Sequence, residues 1–305
     1  MFGLDNFSFE QLWSPLELLV YVVIAAIYLL LTGPYRTLFK DSQPVSWQKK
    51  SMFLLGLAII YFAQSGPLLV LAHLMFSAHM VAMTVSYILA PPLLILGIPA
   101  WIWRPALNLR FFKALRFFSH PVLSLILFNG LFSFYHIPAI LDFVMVNFTL
   151  YRLLNVLLFV TSLLMWWPMV CPEPFRKLSE LQKMGYIFIA GVLLTPACAI
   201  IIFSPTSLYM TFTDPVLWAT ALTYCIPGDP AVLLEMFEGP WYFTELTPVN
   251  HQQIGGATMK LIQEFLYISI LTWVFFQWFK REKRKESQKS DEAAIMEWQK
   301  RMNQV

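Results

Sequence analysis

Charge is scarce in this sequence. Asp, Glu, Lys and Arg make up 13% of its 305 residues, against about 25% in an average soluble domain. Apolar residues make up 58%, and one aqueous core of this size does not hide that much apolar surface. Cysteine is scarce too. Cys171, Cys198 and Cys225 are odd in number and form no CxxC pair, which excludes a disulfide framework and a zinc ribbon. They are expected as isolated small apolar side chains, with a Cys198–Cys225 pair as the alternative if both face outside. No P-loop, no GxGxxG in a strand–helix context, no GxSxG and no HExxH occurs, and no Ser/His/Asp spacing specifies a hydrolase. No basic face alternates with aromatics, so nucleic acid is not a predicted partner. The first ten residues hold Asp5 and Glu10 but no Lys or Arg. The positive region of a secretory signal is therefore missing, and the first apolar segment is expected to be retained.

What remains is hydrocarbon. A helix needs about 20 mostly apolar residues to cross a bilayer. Seven segments qualify, at roughly 14–32, 49–65, 69–90, 118–136, 148–168, 184–204 and 255–279. Gly66-Pro67 is read as a sharp break between the second and third, Pro91-Pro92 as the end of the third, and Trp166-Trp167-Pro168 as the end of the fifth. Lys and Arg gather after the first, third and fifth segments and after the seventh, where Lys280, Arg281, Lys283, Arg284 and Lys285 lie. The stretch 205–254 has neither residue but holds five acidic ones. The positive-inside rule then predicts an all-α, polytopic, seven-helix membrane bundle with the N-terminus outside and the C-terminus cytoplasmic. Residues 1–280 form the membrane domain and 281–305 a charged cytoplasmic tail, either a polar helix or disordered.

Polar side chains at membrane depth are expensive and mark candidate sites. Four of the five histidines fall on the predicted outer side. His73 and His79 sit in the third segment, His136 closes the fourth and His251 precedes the seventh. Met75, His79 and Met83 follow an i, i+4, i+8 pattern on one helical face. His73 and Met80 lie on a neighbouring face, and Met259 lies two turns beyond His251. Imidazole with thioether is a soft ligand set, suited to Cu(I) more than to Mg, Ca or Mn. Asp142 and Asp229 are possible oxygen ligands, though solvated loop carboxylates are the plainer reading. Lys260 and Glu264, four apart in the seventh segment, are predicted to pair. Gly255-Gly256 is predicted to admit a close neighbour beside the site.

On these residues the chain resembles the CtaG family, assembly factors of the caa-type cytochrome c oxidase of Bacillus and relatives. The resemblance rests on Leu12-Trp13-Ser14-Pro15, on the run from His73 through His79-Met80, and on the run from Ala90 to Trp101. Phe134-Tyr135-His136, Trp166-Trp167-Pro168 and the run from Gln252-Gln253 through Gly255-Gly256 to Met259-Lys260 also match. It implies a multi-pass protein of the bacterial cell membrane that supplies copper during oxidase assembly, with oxidase subunits as partners and no catalytic activity of its own. It carries over His73, His79 and Met80 as metal contacts, and His136 and Met259 less directly. Some relatives have His where this chain has Met83, Tyr151 and Asn155, so the set here is richer in sulfur. Two other readings stay open: a haem or redox protein using His79 and His136, and an ion or proton transporter using Lys260 and Glu264.

Overall fold

The computed structural model describes residues 4–302 and is all-helical, with no strand among those residues. Residues 303–305 of the predicted tail lie outside them. Proline punctuates the chain. Pro15, Pro67, Pro121, Pro138, Pro215, Pro230 and Pro248 each open a helix, where a missing N–H costs no hydrogen bond.

Six helices are long and apolar enough to cross a membrane. Span one is Phe9–Thr32, span two Trp47–Leu74, span three Phe76–Gly97, span five Phe148–Val170, span six Glu180–Phe203, and span seven lies within Pro248–Ser290. Span four is a bent pair, Pro121–Tyr135 followed by Pro138–Met145, turned by 77°. Its first limb has 15 residues, about 22 Å of helix, short of the roughly 30 Å of a hydrocarbon core. The protein is therefore a polytopic all-α membrane protein, seven spans if the bent pair counts as one.

The predicted break at Gly66-Pro67 is not where the chain reverses. Helix Trp47–Gln64 resumes as Pro67–Leu74, and together they make one span of 28 residues. Ser65 and Gly66 amides both donate to the Tyr61 carbonyl, and Pro67 opens the next piece, so the interruption leaves little unsatisfied. The reversal lies at Met75, the one extended residue between helices Pro67–Leu74 and Phe76–Thr84 (φ −147°, ψ 138°). From there span three runs back beside span two. A Cβ on Gly97 would stand 2.6 Å from Phe53 Cβ, one on Gly56 would stand 2.9 Å from Leu94 Cγ, and Gln64 donates to Ser86 Oγ at 2.8 Å. Pro91-Pro92 does not end span three either. A π-helical stretch, Val85–Leu89, precedes helix Ala90–Gly97. That extra residue in the turn absorbs the hydrogen bonds the prolines cannot make.

The Gly97 contact predicts its own test. Gly97→Ala puts a methyl against the Phe53 backbone as well, 2.7 Å from its nitrogen, with no flexible side chain to give way. The expected cost is about 1–3 kcal/mol, read as a lower Tm in detergent. Gly130→Ala, where a Cβ meets nothing within 4 Å, serves as the neutral comparison.

Two ends of the bundle differ. At one end, ion pairs join the connections that carry the basic residues: Arg104 to Glu173 at 2.9 Å and Arg281 to Glu180 at 2.6 Å. Span seven continues there as one unbroken helix to Met302, so the charged tail prolongs the last span. At the other end the stretch between spans six and seven folds into a cap. Its helices Pro215–Leu222 and Pro230–Phe237 are opened by Asp214 and Asp229, whose carboxylates accept backbone N–H groups. Trp218, Leu222 and Leu233 of this cap bury Val70, Leu74 and Met75 at the reversal.

Candidate metal centre and adjoining cavity

Span three, the bend of span four and the cap converge on two imidazoles. His79 faces inward from helix Phe76–Thr84, and His136 stands at the C-cap of Pro121–Tyr135, where the 77° bend begins. Their ring centroids are 6.1 Å apart. Both side chains are buried, and both Nε2 atoms have no hydrogen-bond partner. His136 Nδ1 lies 2.8 Å from the carbonyl oxygen of Phe132. A carbonyl only accepts, so Nδ1 carries the proton and Nε2 keeps its lone pair. Metal-binding histidines commonly show this second-shell bond to a backbone carbonyl.

Aromatic rings wall the pair. Tyr135 stacks on His79 at 6.0 Å and meets His136 at 5.1 Å, and Phe132 lies 4.2 Å from His136. Phe76 stacks on Tyr209 at 4.5 Å, and the Tyr209 hydroxyl donates to the His136 carbonyl at 3.0 Å. The helix-breaking Pro138 makes the bend possible, and the Tyr209 bond from the cap fixes it. Asp142 is consumed in the same joint. Its carboxylate accepts the Met210 and Thr211 amides and the Thr211 hydroxyl at 2.8–3.0 Å, so it holds the cap.

A metal about 2 Å from each imidazole nitrogen sets two ring centroids roughly 5–6.5 Å apart, and the pair falls in that range. Among the described residues no three His, Cys, Asp or Glu side chains gather closely enough to hold one ion. Of the soft donors left near the pair, the thioethers of methionine remain. Met83, one turn beyond His79 on the same face, is fully buried, and Met80 and Met259 share the same apolar core. Met145 belongs there too, unpredicted from sequence. Its sulfur accepts the Tyr135 hydroxyl at 3.8 Å, and only the bend of span four brings it there.

The remaining predicted residues separate. Met75 stands at the reversal and packs into the cap cluster, away from this core. The predicted Met75–His79–Met83 stripe is broken there, because Met75 is outside the helix. His251 has both ring nitrogens occupied. Nδ1 pairs with the Ser77 hydroxyl and Nε2 with the Thr244 hydroxyl, each at 2.8 Å. It ties span seven to span three and to the cap. Gly255 and Gly256 seat the same helix, with Met80 and Ser77 3.0 Å from a Cβ on the first and Ile201 and Ile202 2.9 Å from a Cβ on the second. Lys260 pairs with Glu264 at 2.6 Å as predicted.

His73 lies on span two, in helix Pro67–Leu74, and not in span three. Its Nδ1 is bonded to the Leu69 carbonyl at 2.9 Å, with Cys225 Sγ 3.3 Å away, and its Nε2 is also buried and unpartnered. Its ring meets Tyr151 edge-on at 5.2 Å. It opens on a cavity of about 610 Å³ between spans one, two, three and five. Burial pushes the Cys225 thiol up to about 12, so it faces His73 as a neutral thiol. All three cysteines are free.

The family described as cytochrome c oxidase caa3 assembly factor, Caa3_CtaG, matches residues 26–281, which takes in spans two to six, the end of span one, most of span seven and both histidine clusters. No curated protein and no solved structure matches the chain.

Proposed function

We propose that this chain, which belongs to the cytochrome c oxidase caa3 assembly factor family, holds Cu(I) between His79 and His136 and passes it to an oxidase subunit. The protein is a multi-pass protein of the bacterial cell membrane, as its spans and its family require. The observation that carries the copper reading is the pair of buried imidazoles whose Nε2 atoms have no hydrogen-bond partner. Leaving a buried polar atom unsatisfied costs about 1–3 kcal/mol, and two in one aromatic cage call for a shared occupant. A soft monovalent ion needs few donors and accepts imidazole and thioether alike. The sulfur comes from the buried methionines of the same core. The ion is cargo here. Its transfer needs ligand exchange only, with no bond made or broken in a substrate, so the role is non-enzymatic.

The charge asymmetry supports the direction of delivery. Basic connections collect at one end and the cap, free of Lys and Arg over 205–247, at the other. By the positive-inside rule the histidine end faces out, where an oxidase copper centre would be filled. Haem is the weaker reading, because the buried thioethers of the same core tilt the donor set towards copper.

The test is the oxidase itself. In cells whose copy of this gene carries His79→Ala with His136→Ala, the oxidase is expected to assemble with haem but to hold less than a tenth of its normal copper. Normal copper in the purified oxidase would overturn the proposal.

A further inference from the structure

The cavity beside His73 is not explained by copper handling. It runs down one face of span five, from Phe148 to Leu163, 15 residues or about 22 Å. Its two halves differ in chemistry. Towards the cap it is lined by His73, Tyr151, Tyr87 and Asn155, and deeper by Phe159 and Leu163. The polar groups of the upper half mostly satisfy each other. The Tyr87 hydroxyl donates to Asn155 Oδ1 at 2.6 Å, and Asn155 Nδ2 donates to the Tyr151 carbonyl at 3.0 Å. At the mouth Arg152 is neutralised by Glu17 at 3.0 Å. Among the described lining residues, the buried side-chain nitrogen left without a partner is His73 Nε2, on a residue 1% exposed.

That atom narrows the ligand. The Leu69 carbonyl fixes the proton on Nδ1, so Nε2 can only accept. An occupant must offer a donor at the cap end and a long apolar chain below it. A phosphodiester headgroup offers an anion, for which Arg152 is already engaged, and no donor at the phosphate. A phenolic hydroxyl on a flat ring meets the donor requirement, and the rings of Tyr87 and Tyr151 suit its faces. We propose that this cavity binds a membrane hydroquinone, its hydroxyl donating to His73 Nε2 and its hydrocarbon tail lying along Phe159 and Leu163. The proposal does not rest on copper binding, since His79 and His136 take no part in it.

The test uses three probes on the purified full-length chain: a benzohydroquinone with a ten-carbon tail, its dimethyl ether, and a short-chain phosphatidylglycerol. A ligand that binds the folded state raises Tm in a concentration-dependent way. The hydroquinone is expected to act at concentrations at least tenfold below its dimethyl ether, which has the same shape but no donor. His73→Leu should erase that difference while keeping residual binding of the tail. Leu163→Trp, or Val156→Trp if the first does not fold, should fill the trough and abolish the response. Equal action by the hydroquinone and its ether on the wild-type chain would overturn the proposal. So would displacement of the hydroquinone by phosphatidylglycerol with an equal rise in Tm, which would make the cavity a lipid seat.

Discussion

Replacing His136 by Ala is expected to weaken Cu(I) binding by about a hundredfold or more, and replacing His79 by Ala should do the same. Loss of a group that merely orients a ligand costs 10–100-fold in metal affinity, and each substitution removes a ligand outright. The two changes should not add when combined, because either one leaves a single imidazole and the site is already lost. His251→Ala provides the contrast. Its ring is held by Ser77 and Thr244, so it should lower Tm and leave Cu(I) affinity within about threefold. Competition against a chromogenic Cu(I) chelator under reducing conditions measures all four proteins on one scale. Methionine-to-leucine changes at Met83 and Met145 nearly conserve volume and remove only sulfur. Whichever of them weakens binding identifies the third donor. Unchanged affinity in both histidine variants would remove the site.

The membrane architecture was legible because hydropathy is a property of long windows. Seven apolar segments remain visible whatever their exact ends. The histidine cluster was legible for the same reason: four imidazoles on one side of the bundle stand out against an apolar background. Local turn signals were the misleading part. Gly66-Pro67 reads as a break, but proline at a first helical position removes a hydrogen bond that would not form, and the span resumes. The true reversal falls at Leu74-Met75-Phe76, three apolar residues with no turn chemistry. It holds because Trp218 and Leu233 of the cap bury it, which is a contact across more than 140 residues of sequence. The sorting of the histidines was invisible for a related reason. Whether an imidazole is free to take a metal depends on its partners, and Ser77 lies 174 residues from His251. Met145 was missed because the fourth segment was read as ending at 136, which left Met145 in a connection, whereas the helix Pro138–Met145 after the bend turns it inward.

Lys260 and Glu264 raise a different question, and their coupling answers it. The Lys260 ammonium has four acceptors on spans six and seven. These are Glu264 Oε1 at 2.6 Å, Thr195 Oγ1 at 2.8 Å, Gln263 Oε1 at 3.2 Å and the Gly191 carbonyl at 3.3 Å. The arrangement reads as a clamp between two spans. Its halves are unequal. Without Glu264 the ammonium keeps three neutral acceptors, but without Lys260 the carboxylate keeps one amide donor, Gln263 Nε2, at 3.4 Å. Glu264 also turns outward, beside the exposed apolar side chains of Leu261, Phe265 and Ile268. A charge in that position costs about 2.5–3.5 kcal/mol or more, and breaking an ion pair from one side leaves that cost uncompensated. Lys260→Met is therefore expected to give the largest fall in Tm and folded yield, equivalent to about 3 kcal/mol. Glu264→Gln should fall about half as far. The double variant, Lys260→Met with Glu264→Gln, should recover to a level above Lys260→Met alone, because it buries no unpaired charge. Thermal unfolding of the four proteins in one bilayer mimetic closes the cycle. Losses that simply add in the double variant would show that the two residues act separately. Recovery would mark the pair as a structural joint, one that a transporter's proton relay would not survive losing.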